Sequence, residues 1–389
     1  MLLLSDLPDD VLRLIFEQLA PIQPTQSESS GVSIGRRDLG RALAGTCKRF
    51  VPFGLELVWR RVDINARLNE ELVGRIIGSK TVGERIQYLS LTCLWDSAYA
   101  LVAGDLPAFL PKLPNLRILV VKRMPQIAEL LLGGLVEAET TLPLASLDID
   151  ARLASSATLP SAIFRALPHL RQLRSIHLDL DIDSSGTDSA LRIETASISP
   201  EELKLVLTSK STGAREATIV KSILTEVRLS DLRSLSVELS ATAFSALCDG
   251  LRRAVMLQTL EIYVHSKHLA SDLKMLCLTL PRLEHLRKLV FMQVHAFEPL
   301  PVALTSPLGR FFGSSLPQLI ESIQLNVDFQ ISQHRSEFRD MLDDRIKQGG
   351  ALRRWESLER YRTGSSTAIR RVVWVRKTDE QGRQCFVEV

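Results

Sequence analysis

Hydrophobic positions along the chain recur as hexads of the form L-x-x-L-x-L. They read WRRVDI, IQYLSL, LRILVV, LASLDI, LRSIHL, LRSLSV, LQTLEI, LRKLVF, IESIQL and IRRVVW. Their fourth residues are Val62, Leu89, Leu119, Leu147, Ile176, Leu235, Leu260, Leu289, Ile323 and Val372. Most neighbours stand about 28 residues apart, a spacing that fits one strand and one helix per repeat. Alternation with period two makes each hexad a strand with its aliphatic residues on one face. Between the hexads lie SAIFRALPHL, SPEELKLVLTSK, TAFSALCDGLRRAV and ASDLKMLCLTLPRL, whose Leu and Ala spacing predicts helices. Several run into LP-x-L, where proline stops a helix and turns the chain back to a strand. The pattern therefore predicts an α/β chain whose parallel strands pack against a layer of helices.

Two stretches depart from the period. Residues 181–229 separate LRSIHL from LRSLSV by about twice the usual distance, which predicts either one degenerate repeat or an insertion. Beyond Asn326, QHRSEFRDMLDDRIKQGG reads as a helix closed by Gly349. TAIRRVVWVRK and RQCFVEV, joined by TDEQG, read as a terminal strand pair, so 331–389 is expected to cap the repeats.

The start of the chain has helical rather than strand periodicity. In LPDDVLRLIFEQL, Pro8 suits the first helical position and Asp9 and Asp10 complement the helix dipole. Val11, Leu12, Ile15, Phe16 and Leu19 form one apolar stripe, and Pro21 and Pro24 end it. Asp6, Pro8, Asp9 and Asp10 interrupt the apolar run too early for a targeting peptide. A polar, breaker-rich loop is expected at about 21–37. A second helical region follows in RRDLGRALAGTCKRFVPFGLELVW, with Leu39, Leu43, Cys47 and Phe50 on one side.

The order LPDDVLRLIFEQL, DL, CKRF, LVWRRVDI resembles the F-box over about Leu4 to Ile64. Three features depart from that pattern: a longer loop, Phe50 where Trp is common, and Val58 where Leu usually precedes Trp59. The resemblance implies a substrate-recognition subunit of an SCF-type ubiquitin ligase complex. Leu7, Pro8, Val11, Leu12, Ile15, Phe16, Leu19, Cys47 and Trp59 would then dock the Skp-type adaptor. The hexads resemble leucine-rich repeats, which implies a curved solenoid with a parallel sheet on its concave side. The expected organisation is an F-box-like helical domain at 1–64, leucine-rich repeats at 65–330 and the cap at 331–389.

If the aliphatic hexad positions point inward, the residues beside the fourth position face outward. These are Tyr88/Ser90, Ile118/Val120, Ser146/Asp148, Ser175/His177, Ser234/Ser236 and Thr259/Glu261, with Asp150, Asp179, Asp181, Glu238 and Tyr263 further along the strands. The centre of that face reads as acidic, with Lys122 and Lys288 towards its flanks. Asp148, Asp150, His177, Asp179, Glu238, Glu261 and Tyr263 are therefore the candidate target-binding residues, expected to attract a basic segment. The alternatives are a solvated strand face, and a stand-alone leucine-rich-repeat scaffold whose first helices only cap the repeats.

Composition narrows the remaining classes. A formal charge of +3 gives no argument for a nucleic-acid partner. No apolar run reaches the length of a membrane span. The cysteines, Cys47, Cys93, Cys248, Cys277 and Cys385, are scattered and form no CxxC pair, which reads as reduced thiols in a cytoplasmic or nuclear protein. GVSIG fits G-x-S-x-G but follows a polar stretch where a nucleophile elbow needs a strand. Asp179, Asp181 and Asp183 lack the glycine and terminal glutamate of a calcium loop. The histidines have no zinc spacing. No catalytic residue, metal site or cofactor is expected.

Overall fold

The computed structural model describes residues 7–19, 36–65, 75–92, 106–151, 158–170, 172–182, 198–209, 214–265, 269–294, 300–301, 316–325, 327–328, 335–363 and 366–389. The chain is mixed α/β with mostly parallel strands. It forms two compact units, Met1–Asp150 with Arg165–Leu173, and Ala151–Phe164 with Arg174–Val389. The division falls within the series of strands.

The first unit opens with helices α1 (Asp9–Leu19), α2 (Arg36–Thr46) and α3 (Val51–Arg60), followed by strands β1 (Arg61–Asn65), β2 (Tyr88–Thr92), β3 (Ile118–Lys122) and β4 (Ser146–Ala151). These strands pair in parallel, and their register sets Val62, Leu89, Leu119 and Leu147 in one row. All four are buried. The helix Pro125–Glu137 buries Ile127, Ala128, Leu131, Leu132 and Leu135.

The second unit repeats the arrangement in β5 (Ser175–Ile182), β6 (Glu202–Ser209), β7 (Ser234–Ser240), β8 (Thr259–His265) and β9 (Lys288–Gln293). After a two-residue strand β10 (Leu300–Pro301) come β11 (Ser322–Leu325), β12 (Val327–Asp328), β13 (Arg354–Thr363), β14 (Ser366–Thr378) and β15 (Gln384–Glu388). β10 pairs only with β12 among the described residues. The row here is Ile176, Leu203, Leu235, Leu260, Leu289, Ile323 and Trp355, all buried.

A single hydrogen-bond device sets this register. At eight places among the described residues the carbonyl of the residue before one strand accepts two N–H groups from the start of the next. Gln87 O accepts from Arg117 (2.8 Å) and Ile118 (3.0 Å), and Arg117 O from Ala145 (2.7 Å) and Ser146 (3.0 Å). In the second unit Arg174, Glu201, Arg233, Gln258, Arg287 and Glu321 each do the same for the following strand. The LP-x-L segments form 3-10 turns with proline in the first turn, at Leu110–Lys112, Leu167–His169 and Leu280–Arg282.

Two expectations are corrected. SPEELKLVLTSK is not a helix: Glu202–Ser209 forms β6, and the helix of that unit is Ala214–Glu226. Leu203, Leu205 and Leu207 are buried at period two, so burial in the sheet overrides the helix propensity of Glu, Leu and Lys. The gap therefore contains one complete strand and helix, while 183–197 and 210–213 lie outside the described residues. IRRVVW is not the last parallel hexad either. LRRWES supplies that strand, with Trp355 in the row, and β14 runs antiparallel to β13. β15 then returns antiparallel to β14, as the terminal pair predicts.

The last helix, Arg335–Lys347, closes at Gly349, whose φ of +81° is a conformation glycine adopts without strain. Phe338 stacks edge-on against Trp355 (5.4 Å) and also meets Trp374 (5.8 Å). Asp343 accepts a hydrogen bond from the Phe386 N–H of β15 at 2.8 Å. Arg345 is buried and donates to the carbonyls of Leu316 (3.1 Å) and Pro317 (2.6 Å), and burial lowers its pKa.

Glu216 is fully buried at the start of its helix, and its Oε1 accepts the N–H of Ser240 at 2.5 Å. Ser240 is the N-cap of the helix Ala241–Leu251 and makes no side-chain cap there, so the carboxyl completes that helix start from the preceding helix, Ala214–Glu226. Burial raises the Glu216 pKa, opposed by the Ser240 hydrogen bonds and by His265. A raised folded pKa favours the native state in acid, and that stability is lost as pH rises from the ordinary carboxylate range through the raised value. Glu216→Gln keeps an acceptor for Ser240 and removes the charge. It is expected to flatten the pH dependence of the melting temperature and to exceed the native protein at pH 8. Identical pH profiles would show that Glu216 does not titrate on unfolding.

Candidate functional site

The helices α1–α3 form a core of their own from Leu12, Phe16, Leu43, Phe50, Phe53 and Leu57, with Leu7, Ile15 and Leu39 packed against it. Phe16 meets Phe50 edge-on at 6.0 Å and Phe53 at 5.7 Å. α2 and α3 approach closely where Gly40 and Gly54 face each other; a Cβ on Gly54 would lie 2.7 Å from the Ala44 nitrogen. Glycine is needed at this crossing because backbone meets backbone.

Arg49 ties the start of α1 to the turn before α3. Its Nη2 donates to the Leu7 carbonyl at 2.6 Å and to Asp9 Oδ1 at 2.8 Å. The Leu7-Pro8 turn is thus held by a side chain from CKRF, a role the sequence reading did not assign. Arg13 and Glu56 approach at 3.7 Å across α1 and α3, at the rim of a groove that also has Phe16, Phe53, Leu57 and Arg60 in its walls.

The expected adaptor-binding residues divide. Leu12 and Phe16 are buried in the chain's own core, so neither presents a docking surface. Pro8 and Cys47 are exposed, and Leu7, Val11, Ile15 and Trp59 are half-buried. The side chain of Leu19, the segment 20–35 and GVSIG within it lie outside the described residues. The sequence reading missed Leu14, which is 61% exposed and continues the Pro8, Val11, Ile15 side of α1. Helical spacing puts Leu14 opposite the buried Leu12 and Phe16, with half-buried Val11 between it and Ile15, which packs against the core.

The strand face is less acidic than its sequence. In the first unit Asp148 is paired with Lys122 at 3.8 Å, and Asp150 is half-buried. In the second unit His177 is half-buried on β5 and Asp179 is buried. Glu238 on β7 and Glu261 on β8 stand on neighbouring strands one row apart, and each has a side-chain partner: His265 Nε2 lies 2.9 Å from Glu238 and Lys288 Nζ lies 2.5 Å from Glu261. Tyr263 stands opposite Glu238, and its pKa is raised by burial and then by the Glu261 charge. The carboxylates Asp148, Glu238 and Glu261 of the expected acidic strip are therefore each paired with a side chain of a neighbouring strand.

No set of His, Cys, Asp or Glu side chains among the described residues could hold a metal ion. No described helix is long and apolar enough to cross a membrane. Cys248 and Cys277 are buried, and burial pushes each thiol pKa up to about 12. They are small hydrophobes in chemical terms. No protein-family model and no curated protein matches the chain.

Because Phe16 stands at the centre of the helical core, Phe16→Ala is expected to cost about 3–5 kcal/mol. Hydrogen exchange should show lost protection across α1–α3, with β1–β4 amides still protected. Unchanged protection would place Phe16 at the surface after all.

Proposed function

We propose that the chain is a non-catalytic substrate-recognition subunit of an SCF-type ubiquitin ligase. In this reading α1–α3 are an F-box that docks the Skp-type adaptor, and the strand units are leucine-rich repeats that hold a target protein. The repeats would form a solenoid with the polar strand face on its concave side, closed by the residues after 331.

One observation carries the reading. α1 leaves apolar Pro8, Val11 and Leu14 exposed or half-buried, while Leu12 and Phe16, with Ile15 against them, already fill a core of their own. An apolar face that remains after the chain's own core is filled is what a helical partner requires. The Arg49 clamp supports it further, because it fixes the Leu7-Pro8 turn at the end of that face. The regular strand and helix units support the repeat part, since the same carbonyl arrangement recurs in both compact units.

Leu14 gives the cleanest test, because its exposure lets it change without disturbing the core. Leu14→Asp is expected to abolish co-purification with the Skp-type adaptor while leaving the circular dichroism spectrum and melting temperature unchanged. Undiminished capture by the Asp variant would refute adaptor docking through α1 and favour a stand-alone scaffold.

A further inference from the structure

Carboxylates on the second unit's strand face, and one at its base, are less exposed than the cations that bind them. At the β9–β14 end, Glu261 receives Lys288 at 2.5 Å. Glu321 lies between Arg287 at 3.3 Å and Arg353 at 3.9 Å. Glu356 lies between Arg354 at 3.3 Å and Arg371 at 2.5 Å. The Glu356 side chain is 7% exposed, against 48% for Arg354 and 57% for Arg371. Arg353 reaches 75%. On the strand face three exposed cations, Lys288, Arg354 and Arg371, thus meet two recessed carboxylates, and at its base Arg287 and Arg353 share Glu321, so five cations meet three carboxylates in these contacts.

Register makes this a continuous surface. Lys288, Ser322 and Arg354 form one row, and Val290, Gln324 and Glu356 form the next. Val375 and Val373 stand opposite Arg354 and Glu356 on β14 and are half-buried. Arg287 and Arg353 stand at the base, directly before β9 and β13. A guanidinium has five N–H donors and an ammonium three, so these cations keep donors free after binding their recessed partners. A basic segment would have to displace cations already seated on those carboxylates. An acidic one meets the exposed donors directly.

We propose that this end of the face, across β9, β11, β13 and β14, binds an acidic peptide segment of the target protein. Its carboxylates would pair with Lys288, Arg354 and Arg371, and Arg287 and Arg353 would extend the contact at the base. The proposal rests on the reading of the strand face as target-binding, and it does not depend on adaptor docking.

The test uses the full chain and two fluorescein-labelled peptides, octaglutamate and octalysine, followed by anisotropy. Octaglutamate is expected to bind, and to bind less tightly as salt rises through the physiological range, since exposed charges are screened over about 8 Å there. Arg354→Ser with Arg371→Ser should weaken it at least tenfold. Because those arginines compensate a buried glutamate, Lys288→Ser with Arg353→Ser is measured alongside, with an expected loss of threefold or more. Arg252→Ser with Lys274→Ser, on the helices, should change nothing. Preferred binding of octalysine, no binding of octaglutamate, or an equal loss from the helix substitutions would each overturn the proposal. Adaptor co-purification on the same variants separates the two ideas: its retention alongside absent octaglutamate binding refutes this proposal alone.

Discussion

The fold depends on one shared carbonyl oxygen per unit. By accepting two successive N–H groups from the next strand, it holds that strand at a fixed start and permits no offset. A slip of one residue would turn every side chain of a strand to the other face. With the slip prevented, Val62, Leu89, Leu119 and Leu147 meet in one row, as do Ile176, Leu203 and Leu235. The constraint acts through the backbone, so Arg, Gln and Glu can all serve at that position.

Backbone groups that lack a local partner are satisfied from far along the chain. Ser240 makes no side-chain cap, and Glu216 takes its N–H instead. The carbonyls of Leu316 and Pro317 are held by Arg345, and the Phe386 N–H by Asp343. Each buried or half-buried charge in these contacts removes a polar orphan that would otherwise destabilise a packed interior. The cost of burying Glu216 and Arg345 is offset by the ends they complete.

The aliphatic rows were legible because period-two alternation follows directly from strand geometry. β6 was not legible, since Glu, Leu and Lys favour helix locally and only the neighbouring strands make EELKLVL extended. The last hexad was obscured by Trp355 standing where an aliphatic residue was sought. On α1 the apolar stripe was clear, but its breadth hid which side faced inward; Leu12 and Phe16 proved internal and Leu14 external. Arg49 acts across 42 residues, and Glu238 and Glu261 find their partners 27 residues on. Such pairings join neighbouring units, so no local pattern announces them.

The reversal of β14 has an evolutionary consequence. A parallel strand followed by a helix can be copied and inserted between two like units, because each end presents what the next one needs. After β13 the chain turns back on itself, and a carboxylate from the last helix occupies the N–H of Phe386 at the final strand. A further parallel unit therefore fits this sheet ahead of Arg354, where both neighbouring strands run the same way.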